Sequence, residues 1–211
     1  MTVVSGIGWI AGSECGCAGT GERFSYGGDD AAVVQKSLFA HPFRNFGRLD
    51  RSSRMTAIAV ALALRDAGRS YAPDRKQEIG IVGSGRDGSL PTDLAYFKDY
   101  VDCGRTLGRG NLFIYTLPSS PLGEAAIHFG LAGPLLYVSS GASLASAARI
   151  AEEMLELGEA ETMLAGAVES DEALYLVLSR SAEGGDPARR IPGQAKPLSE
   201  LIRAFRTLQE K

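Results

Sequence analysis

Long apolar runs, a surplus of basic residues and paired cysteines are all missing from this 211-residue sequence. No stretch approaches the roughly 20 uninterrupted apolar residues of a membrane-spanning helix, so a membrane protein is not expected. Lys and Arg number 22 against 25 Asp and Glu, a formal charge of −3, and the concentrated basic face of a nucleic-acid binder is not expected either. Cysteine is limited to Cys15, Cys17 and Cys103, an odd count without a C-x-x-C pair, which fits a reducing compartment. Cys15 and Cys17 with His41 lack a fourth ligand and have a spacing foreign to common zinc modules; neither a metal nor a cofactor is expected. The opening MTVVSGIGWIAG is too short and glycine-broken for a secretory signal and has no basic leader, so the expected location is the cytoplasm.

What is present is enough apolar material for a sizeable core, with 45% hydrophobic residues and a mean hydropathy near zero. Five segments read as strands: Val3 to Ile10, Glu78 to Gly83, Leu135 to Val138, Thr162 to Val168 and Ala173 to Ser179. The last two flank the acidic turn Glu169-Ser170-Asp171, the pattern of a hairpin. Gly12 to Gly28, rich in Gly, Ser and Thr, reads as a long loop. Helical spacing marks Ser53 to Ala67 before Gly68, Thr92 to Val101, Leu122 to Leu131, and Ala142 to Leu157 before Gly158. The expected architecture is α/β, a mixed five-stranded sheet with one antiparallel pair and helices on both faces. Three units are expected: a domain over 1–180, a loose Gly, Pro and Ala-rich connection over 181–197, and an amphipathic helix over 198–211 with Leu198, Leu201, Ile202, Phe205 and Leu208 as its stripe. From Arg180 onward there are seven basic and four acidic residues, so the tail could dock on its own acidic body or on an acidic partner.

The chemistry-bearing patterns are weak. Gly83-Ser84-Gly85-Arg86-Asp87-Gly88 follows a strand and fits G-x-G-x-x-G, with Asp102 at the distance of a ribose-binding acid. Pro91 nevertheless postpones the helix that should begin beneath a pyrophosphate. Ser139-Ser140-Gly141-Ala142-Ser143 joins a strand to a helix, where α/β enzymes present nucleophiles. A nucleophile needs a base within reach, and the sequence offers only His41 and His128. The commoner role for Ser140 or Ser143 is helix capping.

A resemblance is carried by the order of several segments. Val3-Val4-Ser5-Gly6-Ile7-Gly8, then Phe46-Gly47-Arg48-Leu49-Asp50-Arg51 with its alanine-rich helix to Asp66-Ala67-Gly68, resemble the N-terminal half of the β-ketoacyl synthases, enzymes of the thiolase fold that condense acyl chains. Tyr115-Thr116-Leu117-Pro118, Gly123-Glu124-Ala125-Ala126-Ile127, Gly130-Leu131-Ala132-Gly133-Pro134 and Ala165-Gly166-Ala167-Val168-Glu169 extend the similarity to about Ser179. The resemblance implies the N-terminal half of a thiolase-like fold. Where that family places its acylated cysteine, this sequence has Gly141 or Ala142, depending on whether one counts from Gly158 or from Gly133-Pro134; neither side chain can form a thioester. The family's two catalytic histidines belong to a second half that these 211 residues do not include.

The resemblance therefore implies a non-catalytic subunit similar to a chain-length factor. It would pair with an active β-ketoacyl-ACP synthase as a heterodimer and shape the acyl tunnel in fatty acid, polyene or polyketide-type biosynthesis. Carried over to this sequence, Asn111, Leu112, Phe113, Tyr115, Leu117 and Pro118 would lie at the interface and close the tunnel end. The alternative is a self-associating module, a homodimer binding acyl groups or an acyl carrier protein. A residual thioesterase or acyltransferase built on Ser139, Ser140 or Ser143 ranks below both. A further expectation concerns the alanine-rich face of residues 142–151, which needs covering either by the C-terminal helix or by a partner chain.

Overall fold

Asp50 starts the helix around which the chain is packed. Its carboxylate accepts the Ser53 N–H at 2.8 Å, satisfying one of the amides that a helix start leaves free, and helix α1 then runs Arg51–Asp66. It ends where Gly68, at φ +64°, lets the Arg69 N–H reach the Leu64 carbonyl. The computed structural model describes residues 2–25, 36–106, 108–139, 143–180 and 196–207.

The sheet has seven strands: β1 (Thr2–Ala11), β2 (Glu14–Cys17), β3 (Arg23–Ser25), β4 (Ile79–Ser84), β5 (Leu135–Val138), β6 (Thr162–Val168) and β7 (Glu172–Arg180). Their order is β3-β2-β1-β7-β6-β4-β5. β4 lies parallel to β5 and β6, and every other neighbouring pair is antiparallel. The sheet is mixed, as expected, and β6 and β7 form the expected hairpin, closed by Glu169 N–H to the Glu172 carbonyl. The five-strand count and the single antiparallel pair are corrected. The segment expected as a loop turns at Gly12, φ +59°, and returns as β2 and β3. Those strands are short and built largely from Cys, Gly and Ser, which carry little strand preference. They form because Cys15 and Cys17 face the core while Gly16 lets the Trp9 ring and the Glu22 carbonyl come close.

A bulge between Val4 and Gly6 in β1 is secured by one carboxylate. Asp66, at the end of α1, accepts Ile7 N–H at 2.8 Å through one oxygen and Gly19 and Thr20 N–H at 2.7 and 2.8 Å through the other. It ties helix end, bulge and the turn after β2 together.

Helices cover both sheet faces. On one face lie α1 and α4 (Ser120–Phe129), which ends at Gly130, φ +67°. The other face carries α5 (Leu144–Leu157) and α6 (Leu198–Thr207). Two shorter helices, α2 (Leu90–Asp102) and α3 (Gly110–Phe113), form an excursion between β4 and α4. Ser143 caps α5 through its hydroxyl, which accepts the Ser146 N–H at 3.2 Å.

The alanine face of α5 is covered in a third way. Ala147, Ala148 and Ala151 are buried against the chain's own β4, β6 and β7, while Arg149, Glu153 and Glu156 face water. Beside it, α6 lays Leu198, Leu201, Ile202 and Phe205 over β1 and β7, where Arg206 meets Glu14 at 2.7 Å and stands 4.7 Å above the Trp9 ring. The C-terminal helix thus docks on its own domain through Thr207. Leu208 and residues 209–211 fall outside the described residues, as does the connection from 181 to 195.

Candidate functional site

Ser84, a buried hydroxyl on β4, has the Ser143 carbonyl at 3.1 Å, just before α5, and the Gly166 carbonyl of β6 at 3.3 Å. Ser143 is committed to capping α5. Ser140, Gly141 and Ala142, the last two being the expected silent nucleophile positions, lie outside the described residues. Among the described residues neither histidine bonds to Ser139 or Ser143. His128 is enclosed by Phe39, Phe43, Tyr71 and Phe129, its ring stacked on Phe43 at 3.9 Å, and His41 packs edge-on against Tyr71. His128 is thus enclosed among aromatic rings, while the half-buried His41 meets one of them. Two of the three thiols are buried: burial pushes Cys15 up to about 12 and Cys17 up to about 11, and their Sγ atoms point at the Phe24 and Leu62 carbonyls, while the exposed Cys103 lies just past the end of α2, away from residues 139–143 in sequence.

The same enclosure makes His128 an acid-sensitive point. Burial, and after it the proximity of His41, hold its imidazole down to about 4, and its Nε2 has no hydrogen-bond partner among the described residues. The folded protein therefore binds fewer protons than the unfolded chain from the ordinary histidine value near 6.5 down to about 4. Stability is lost as pH falls through that window. Between pH 7 and 4.5 the unfolding free energy from urea titrations should fall less for His128→Phe than for the parent, by about 1–2 kcal/mol after allowance for solvent screening. Equal drops would show that His128 is not the group responsible.

The glycine-rich turn does not build a phosphate cradle. Gly83 belongs to β4, the turn passes Gly88 at φ +55°, and α2 opens only at Leu90. Asp102 sits at the far end of α2, paired with Lys98. What the turn borders is an open cleft of about 510 Å³ at the carboxyl ends of β4 and β6, whose walls include Asp50, Arg51, Asp87, Glu169 and Asp171. Asp50 is already bonded to Ser53 N–H and to the Thr92 hydroxyl at 3.1 Å, and Glu169 lies 3.8 Å from Arg86. Among the described residues the cleft is lined by no cysteine and no histidine.

The six residues expected at a partner interface divide. Asn111 and Phe113 in α3, and Leu117 beyond it, are exposed, and Leu112 and Pro118 are half-buried. Tyr115 is different: it is buried in the core, and its hydroxyl donates to Glu124 at 3.3 Å. Burial, reinforced by the Glu124 charge, pushes that phenol up to about 12. Tyr115 is thus a core residue of this chain, whereas the other five are open to contact.

A larger feature beside it was not foreseen from sequence. α2 buries no residue at all. Leu90, Leu94, Phe97 and Val101 stand at helical spacing along one stripe, all exposed, Phe97 by 64%. The stripe belongs to the same excursion as Phe113, 59% exposed, Ile114 and Leu117, and the Phe113 ring packs against Tyr96 with centroids 5.6 Å apart. At the β5 border of the sheet, β5 pairs only with β4 among the described residues, leaving one edge open, with Leu135 and Leu136 exposed. Isolated exposed apolar residues are ordinary, whereas a clustered set of this size marks a contact surface. The signal was present in the periodicity of residues 92–101, which reads equally well as a helix packed on its own sheet.

Known proteins share this geometry. The sequence profile described as "Beta-ketoacyl synthase, N-terminal domain" matches residues 16–184. "Nodulation protein E" of Rhizobium meliloti (strain 1021) is 31% identical over 160 residues, 72% of this chain and 39% of that protein. The chain thus spans about two fifths of that relative's length. A solved structure described as "The ishigamide ketosynthase/chain length factor" superposes with a TM-score of 0.61 at 14% identity, covering 87% of this chain and 63% of that one. A ketosynthase (ApeO) in complex with its chain length factor (ApeC) from Xenorhabdus doucetiae gives a TM-score of 0.59 at 16% identity, covering 98% of this chain and 92% of the matched chain. At these identities the superpositions establish the thiolase-like fold.

Proposed function

Because the chain belongs to the β-ketoacyl synthase family through its N-terminal domain, we propose that it is a non-catalytic subunit of the chain-length-factor kind, which pairs with an active ketosynthase and bounds its acyl tunnel. The observation that carries this reading is the exposed apolar stripe of α2 with Phe113, Ile114 and Leu117 in the same excursion, together with the open edge of β5. These side chains are uncovered among the described residues and lie outside both sheet-facing cores. Two further facts support it. Residues 139–143 hold no cysteine, so no thiolate is available there to carry an acyl group. A chain matched over 92% of its own length occurs in a ketosynthase–chain length factor complex, so a partner of this size has a precedent. On this reading Phe113 and Leu117, exposed at the end of the excursion, would set where a growing chain stops, a steric form of selectivity.

The test is mass in solution by light scattering, for the chain alone and then co-expressed with a β-ketoacyl synthase from the same source. A stable one-to-one complex is expected, with poor solubility or aggregation of the lone chain. A well-behaved homodimer that ignores the synthase would overturn the proposal in favour of a self-associating acyl or carrier-protein binding module. Hydrolysis of a model thioester by the isolated chain, lost on Ser139→Ala, would overturn the non-catalytic assignment.

A further inference from the structure

A second surface lies on the opposite border of the sheet, away from the α2 excursion. Where α6 crosses β1, a cleft of about 290 Å³ is lined by Arg23 from β3, by Arg203, Arg206, Ile202 and Ser199 from α6, and by Glu172 at the start of β7. Three guanidinium groups from two separate elements border one small volume. Arg206 has a visible structural task, since it pairs with Glu14 at 2.7 Å and stacks over Trp9. Arg23 and Arg203 have none: among the described residues neither enters an ion pair, and both side chains are exposed. Arg203 and Arg206 in the last turns of α6 suit the negative end of the helix dipole. Arg23, on an edge strand, gains nothing from that dipole.

We propose that this cleft binds a small organic phosphate bearing a hydroxyl group. A guanidinium presents planar pairs of N–H donors that match the oxygens of a phosphoryl group, and Arg23 and Arg203, which enter no ion pair among the described residues, supply the charge while Arg206, paired with Glu14, adds a donor edge. A cleft of this size admits a phosphate with a few attached carbons. Arg206 brings one donor edge already oriented, because Glu14 and the Trp9 face hold its side chain in place, so less side-chain freedom is lost on binding. Glu172 gives the site its second requirement. An acceptor on the wall of a basic cleft opposes a bare anion and favours a ligand that also donates a hydroxyl hydrogen. This site shares no residue with the apolar face, so the proposal stands or falls independently of the pairing with a ketosynthase.

Trp9 is the only tryptophan in the chain, and its contact with Arg206 makes its fluorescence a reporter of the cleft. The probes are glycerol 3-phosphate and inorganic phosphate, titrated against the full chain at constant ionic strength set with sodium chloride. Saturable change with glycerol 3-phosphate is expected, weaker for inorganic phosphate, and weakened at least about tenfold by Arg23→Gln and by Arg203→Gln, the usual scale for losing one charged hydrogen bond. Both substitutions replace exposed side chains, and an unchanged urea midpoint without ligand verifies that the fold survives. No saturable change, or one that both variants retain in full, would overturn the site. Equal binding of the two probes would overturn the hydroxyl requirement assigned to Glu172.

Discussion

Replacing both Phe97 and Phe113 by glutamate is expected to abolish the complex with the ketosynthase and to leave the chain folded. Phe97 is 64% exposed on a helix with no buried residue, and Phe113 is 59% exposed, so neither contributes much to the monomer's core. Their removal should change stability by no more than about 0.5 kcal/mol, the range of ordinary surface substitutions. At the centre of an interface the same rings would be large apolar anchors, each worth about 2 kcal/mol or more, and a buried glutamate in their place adds a desolvation cost. Together the two changes should weaken association at least about a thousandfold. The readout is co-purification and light scattering of the complex, beside a urea melt of the isolated variant. A complex that survives both substitutions would move the interface away from the α2 excursion. Loss of the complex together with loss of the urea transition would mean the rings support the fold instead. Tyr115 is unsuitable for this experiment, because its burial makes Tyr115→Ala a core truncation costing several kcal/mol.

The open edge of β5 bears on the same experiment. An unpaired parallel edge with apolar residues exposed on it is a hazard for unspecific strand pairing unless something covers it. Leu135 and Leu136 point to opposite faces of the sheet and are exposed by 40% and 39%, so covering both requires contact along the edge itself. A partner seated there would protect the β5 amides from hydrogen exchange only in the complex. The β1–β7 amides, interior to the sheet, should be protected in both states.

Much of this fold was legible because strong local signals agreed with each other. The helix expected from Ser53 has an apolar repeat and a terminal Gly68, its Asp50 cap being a finding of the structure, and the α5 helix has Ser143 and Gly158 at its two ends. β2 and β3 were not legible. Cys15-Gly16-Cys17 and Arg23-Phe24-Ser25 lack β-branched residues, and they are strands because β1 supplies a template and Gly16 admits Trp9. Neither cause is local in sequence. The partition of Phe113 and Tyr115 was hidden for a related reason: both are aromatic in one segment, and only the tertiary turn at Ile114–Thr116 sends one ring outward and the other toward Glu124. The α2 stripe was visible as periodicity, but periodicity states that one face is apolar without stating what covers it. The fate of the alanine face on α5 shows the converse. Its lack of charge correctly marked a buried surface, and its cover proved to be the strands directly beneath it.

Gly8→Ala is expected to remove most of the chain's stability through a single methyl group. β1 and α1 approach each other more closely at this point than side chains permit. A Cβ at Gly8 would overlap the Ala59 carbonyl oxygen and the Ala63 nitrogen, both backbone atoms of a helix buried on nearly all sides. No rotamer change relieves a clash with backbone, so α1 must shift away from the sheet. That shift would loosen Asp66, whose carboxylate holds the β1 bulge and the turn after β2. Overpacking of this kind belongs at the severe end of the usual range, about 4 kcal/mol or more, against a total of about 5–15 kcal/mol for a domain. Urea unfolding followed by Trp9 fluorescence measures it, since Trp9 lies on β1 itself. Gly123→Ala supplies the opposite sign: Gly123 is inside α4, and a methyl group added there would meet nothing within 4 Å, so alanine should stabilise by about 0.5–1 kcal/mol through helix preference. An unchanged midpoint for Gly8→Ala would mean that β1 and α1 have room between them for a side chain. A large loss at Gly8 with a gain at Gly123 would tie the fold's integrity to the seam between the first strand and the central helix, where Gly6, Gly8 and a row of alanines let backbone pack against backbone.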